Sequence, residues 1–191
     1  MIFNEKALIR HMKIALKNGN LIYGQIGELI VFGGTTWRGC IDEEFMTQGI
    51  YGEMLKTTGV FPRPGEVFTI NKEKIAQYTF TDIGEFKGGD EEDLIVTKII
   101  YAGARRILKG KGGLMEVYEG NVNMLDQSAV TDEEDKFTGP FYDVLRGCVF
   151  WHNDTCALKV YDQYRNEDRP ELVYLSKIEN ELEVESRYTF H

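Results

Sequence analysis

From Leu21 onward the chain is cut into short apolar runs rich in β-branched and aromatic residues, separated by glycine, proline or Asn/Asp turns. This pattern limits the fold more than any single motif does. One helical segment precedes the runs, and the regular strand–helix alternation of a doubly wound parallel sheet is missing. The expected class is α+β: an N-terminal helix over residues 1–19 packed on a largely antiparallel sheet built from successive hairpins. Residues 20–191 are expected to be mostly β with short helical insertions, all within a single domain.

The helix reads from its caps and its period. Asn4 suits an N-cap, Glu5 the first turn and Gly19 the stop. Leu8, Met12, Ala15 and Leu16 form one apolar stripe. Lys6, Arg10, Lys13 and Lys17 form a second, basic one. That basic face docks on an acidic strand of the same chain, meets solvent, or binds an acidic partner.

Beyond the helix, "LIYGQIGELIVFGG" predicts a strand pair or a bulged strand, and "CIDEEFMTQGIYGEMLKTTG" a short helical region. "FPRPGEVFTI" predicts extended chain because proline disfavours helix in the residue before it. "NKEKIAQYTF" offers Asn71 as a cap for a helical turn or two. "DLIVTKIIYAG" predicts a long strand buried on both faces, and "LMEVYEGNVNML" one or two more strands. "GARRILKGKGG" lies between them as a basic turn, and "QSAVTDEEDKFTGP" reads as a polar surface loop. "GCVFWHNDTCALKVYDQY" predicts a hairpin, and "ELVYLSKIENELEVESRYTF" a second one turning near Glu179-Asn180.

A chain of 191 residues with 42% hydrophobic side chains can bury a core without disulfide or metal staples. Its three cysteines lack framework spacing, which points to a reducing compartment and a cytoplasmic protein. The charged N-terminal segment does not read as a signal peptide, and no apolar run suits a membrane span. The formal charge of −9 opposes direct nucleic-acid binding, where cations must neutralise phosphate.

Several constellations bear on chemistry. Cys148, His152, Asp154 and Cys156 carry zinc-type ligands, but the C-x3-H-x3-C spacing is wrong for a small zinc site. No metal and no cofactor is expected. A Cys40 nucleophile with His152 as base would need the two to meet in space; His11 is the other candidate base. Arg105, Arg106, Lys109 and Lys111 make an anion-binding candidate for a phosphorylated small molecule, although the P-loop spacing is absent. A calcium loop is not expected at the "GGDEED" run, because neighbouring side chains on extended backbone point apart.

Acidic residues form the broadest signal. Asp90, Glu91, Glu92 and Asp93 stand in one run, and Asp132, Glu133, Glu134 and Asp135 in another. Glu181, Glu183 and Glu185 are expected on one face of a last strand, about 6.6 Å apart. Together they suggest an interaction module whose acidic surface engages a basic protein, such as an inhibitor occupying a nucleic-acid-binding groove. The alternatives are a small Cys/His-dependent enzyme and a phosphate-ligand domain at Arg105–Lys111.

Overall fold

The computed structural model describes residues 3–59, 61–70, 75–77, 91–126, 137–165 and 169–190. It bears out the α+β class, with a helix first and an antiparallel sheet after it. Helix α1 spans Glu5–Lys17. The Asn4 side chain caps it, accepting a hydrogen bond from the Ala7 N–H at 3.1 Å. Its Ala7, Leu8, Ile9, His11, Met12 and Ala15 are buried, so the apolar stripe faces the core and the basic stripe faces out.

The strands β1 (Leu21–Ile26), β2 (Leu29–Gly33) and β3 (Trp37–Asp42) form a meander, followed by a 3-10 turn at Glu43–Phe45 and helix α2 (Gln48–Thr58). Gly27, with φ of +60°, makes the tight β1–β2 turn. Next come β4 (Val67–Ile70) and β5 (Ile75–Gln77). β5 corrects the helical expectation for this segment: it pairs with β4 from Ile70↔Ile75, and an available sheet edge overrides a weak local helix preference. The expected cap, Asn71, lies outside the described residues.

The second half holds β6 (Glu91–Tyr101), β7 (Arg105–Gly110), β8 (Gly113–Tyr118), the short helix α3 (Glu119–Val122) and β9 (Thr138–Asp143). The hairpin β10 (Cys148–His152) and β11 (Cys156–Val160) forms where expected, and β12 (Tyr164–Arg165) adds to β8. Helix α4 (Pro170–Leu175) and a 3-10 segment (Ser176–Glu181) follow. Among the described residues the twelve strands run β12-β8-β7-β6-β9-β10-β11-β3-β2-β1-β4-β5, every neighbouring pair antiparallel.

Four further expectations change. β6 is buried at Leu94, Val96 and Thr97 only, while Lys98 and Ile100 are exposed, so it is not covered on both faces. "GARRILKGKGG" is not a long basic turn: tight turns at 102–104 and 111–112 flank a strand, β7. The strand "LMEVY" ends at Tyr118, where the chain turns into α3.

The expected last hairpin is instead α4 and the 3-10 segment. Pro170 stands at the first helical position, which suits its fixed φ and missing N–H. Leu172 and Leu175 then pack on Ile107 and Leu114. The tail beyond joins two strands that part company. β9 pairs with β6 only at Glu91–Asp93; past that point Val184 bridges Thr97, and Phe190 bridges Gly139 of β9.

The main core joins Phe3, the buried face of α1, Phe32, Trp37, Trp151 and Tyr188 with Leu94, Val96 and Val117. A smaller cluster of Ile22, Val31, Cys40, Val67 and Ala157 occupies the other sheet face. No helix among the described residues is long and apolar enough to cross a membrane.

Candidate functional site

The basic stripe of α1 borders two hollows. The first, about 930 Å³, lies between the N-terminal half of α1, the end of the α3 segment and the C-terminal tail. Lys6, Arg10 and Arg187 supply its cations, Asp126 a carboxylate, Asn4 and Asn123 its amides, and Tyr188 and Phe190 its rings. The second, about 740 Å³, is a groove with Ile9 and Ile14 in its lining, between Lys6, Arg10, Lys13 and Lys17, with Glu5 and Glu53. Lys6 and Arg10 belong to both.

The tail fixes one wall of the first hollow. Trp151 Nε1 donates to the Tyr188 carbonyl at 2.9 Å, and the Tyr188 hydroxyl donates to Asn123 Oδ1 at 2.7 Å. Arg187 lies over the Tyr188 ring at 5.3 Å and forks onto Glu185 at 2.8 and 3.0 Å. That hydrogen-bonded guanidinium holds the Glu185 carboxyl down at about 2.

α2 fixes a wall of the second. The Glu5 carboxylate lies where a side chain on Gly49 would be, in the first turn of α2, where a helix N-terminus favours negative charge. Lys13 pairs with Glu53 at 3.1 Å, and Lys56 shares that carboxylate at 3.5 Å. Lys6, Arg10 and Lys17 are exposed and make no ion pair among the described residues.

The anion candidates of β7 are placed differently. Neighbours on a strand point to opposite faces, so Arg105 and Arg106 do not converge. Arg106, 2% exposed, makes a two-pronged pair with Glu119, both bonds at 2.6 Å, and donates to the Thr97 carbonyl at 3.0 Å. Arg105 reaches Asp162 at 3.1 Å and lies 5.2 Å from the Tyr164 ring centre. Lys109 donates to the Glu179 carbonyl at 3.2 Å, and Lys111 is exposed in the β7–β8 turn. The two arginines are therefore held by the chain's own carboxylates. Beside them, burial raises the Glu116 and Asp162 carboxyls above their usual range, with Arg169 3.6 Å from Glu116.

The acidic set divides. Asp90 and Asp132, Glu133, Glu134 and Asp135 lie outside the described residues. Glu91 and Asp93 are exposed at the start of β6, and Glu92 accepts the Gly112 N–H at 2.5 Å. Glu181 ends the 3-10 segment, Glu183 pairs with Lys98 at 2.7 Å, and Glu185 pairs with Arg187. The evenly spaced row expected on one strand face is absent, because those residues do not form a strand.

The cysteine chemistry is not assembled either. His152 stands opposite Ala157, and Ala157 opposite Cys40, which puts two strand spacings, about 10 Å, between the Cys40 and His152 backbones with β11 between them. Burial pushes the Cys40 thiol up to about 12 and raises Cys156 as well. The Cys156 thiol donates to Asn153 Oδ1 at 3.1 Å, the same oxygen that gathers the hairpin-turn amides. No group of three metal-ligating side chains occurs among the described residues.

Sequence reasoning located Lys6 and Arg10 through helical period. It missed Asn123, Arg187 and Tyr188, which reach the hollow only because the tail crosses β6 and β9. No local pattern encodes that crossing. Compared with known proteins, the chain matches no family model, no curated protein and no solved structure.

Proposed function

We propose that this protein is a binding module whose basic α1 face engages an acidic partner. One observation carries the reading. In a chain with a formal charge of −9, Lys6 and Arg10 remain exposed and unpaired among the described residues, at the junction of two hollows. An acidic molecule ordinarily has carboxylates to spare for its own cations. An incoming anion meets a local positive field there, which speeds encounter and fixes orientation more than it adds raw affinity.

A second reading keeps the acidic surface as the binding face, with a basic, nucleic-acid-binding protein as the partner. Exposed Glu91 and Asp93 and the overall charge favour it. It is weaker, because Glu183 and Glu185 are each matched by a cation of the same chain.

Comparative capture separates the two. A partner held by the parent protein, lost with Lys6→Glu/Arg10→Glu and kept with Glu91→Lys/Asp93→Lys, is the expected pattern. The reverse pattern overturns the first reading in favour of the second.

A further inference from the structure

Resting on the proposed acidic partner, the geometry points to its form: we infer that the occupant of the α1–α2 groove is an amphipathic acidic helix laid along α1. Lys6, Arg10, Lys13 and Lys17 advance along the axis by about 6, 4.5 and 6 Å. A helix with carboxylates at i, i+4, i+7 and i+11 repeats the same intervals. The series is palindromic, so parallel and antiparallel approaches both bring the charges into register. An extended peptide shows same-face carboxylates at a constant interval of about 6.6 Å and drifts out of step.

The apolar part agrees. Ile14 is 50% exposed between Lys13 and Lys17, and Ile9 lies in the groove beside Arg10. By helical period Ile9 and Ile14 fall on opposite sides of the basic stripe, so the cations run along the middle of the docking face and apolar side chains flank it, with Ile14 the exposed one. The cations are strung over about 17 Å of helix instead of converging on one point, which does not suit a single phosphate group. Glu53 is the built-in competitor, because it already occupies Lys13. An arriving carboxylate has to displace it.

The probe is a synthetic peptide with Glu at i, i+4, i+7 and i+11 and Leu on the adjoining face, set against a scrambled peptide of equal composition. Vesicles containing phosphatidylserine and inorganic phosphate are the other two arms. The periodic peptide is expected to bind the full chain at low salt, to gain helical circular dichroism on binding, and to weaken as salt rises. Lys6→Glu/Arg10→Glu should cost about tenfold or more in affinity. Glu53→Gln, which removes the competitor, should tighten binding by about two- to fivefold. Thermal melts of both variants confirm that each is folded before its affinity is compared.

Equal binding of periodic and scrambled peptides, both lost in the Lys6/Arg10 variant, overturns the helical occupant and leaves the acidic-partner reading standing. Binding to vesicles or phosphate in place of either peptide also overturns the helix. No binding in any arm overturns both readings.

Discussion

Arg106 places a charge in the core, where it is tolerated because Glu119 answers it with two short bonds and the Thr97 carbonyl takes a third. Removing one member leaves the other charge buried without its mate. Arg106→Ala should therefore lower stability by about 3–5 kcal/mol, while joint replacement by Met and Leu recovers most of it. Urea denaturation of the two single variants and the double variant measures this.

Two carboxyls give opposite pH signatures. Burial raises Glu116, so above the ordinary value of 4.5 the folded state holds a proton that the unfolded state has released. Stability then falls as pH rises through that window, and Glu116→Gln should flatten the slope. Glu185 is depressed to about 2 by Arg187, so its contribution is present above 4.5 and lost as pH falls towards 2. Glu185→Gln should weaken the fold at neutral pH and make little difference near pH 2. Denaturation midpoints across pH separate the two effects.

At the scale of elements, Gly24 shows why β1 and β4 lie so close. A side-chain carbon there would meet the Glu66 carbonyl oxygen and Val67 Cα at 2.5 Å, backbone that cannot swing aside. Gly24→Ala is expected to cost about 1–3 kcal/mol, seen as a lowered melting temperature. α1 depends on its cap, and Asn4→Ala should cost about 1 kcal/mol by the same measurement.

The elements that could be read in advance share a local cause. α1 has its cap, period and stop within one stretch, and the β10–β11 hairpin has its Asn153 turn. β5 and the tail do not. Ile75–Gln77 is a strand because the β4 edge is there to receive it, and residues 183–190 are placed by bridges to Thr97 and Gly139, about fifty or more positions away in sequence. Pro170 and Glu171 suit the first turn of a helix, while the alternation of Leu182, Val184, Tyr188 and Phe190 suits a strand. The chain takes the helix over Pro170–Leu175 and, among the described residues, no strand beyond it. The candidate site divides in the same way, with its α1 side written in a helical repeat and its Arg187–Tyr188 side assembled only by the fold.

Across the whole molecule, charge is uneven. Most described cations are matched: Arg105 and Arg106 by Asp162 and Glu119, Lys98 by Glu183, and Arg187 by Glu185. On the α1 face Lys6, Arg10 and Lys17 stand together, exposed and without an ion pair among the described residues, against a net −9. Binding there should weaken steeply as salt screens exposed charges, whereas a grip dominated by apolar burial would not. Titration of poly-glutamate into the isotope-labelled protein at low salt, followed by amide chemical shifts, reads the location directly. Shifts concentrated on Lys6, Arg10, Lys17 and the facing Arg187 are predicted. Shifts centred on Lys109 and Lys111, or none at all, would contradict the claim that the first helix presents the binding surface.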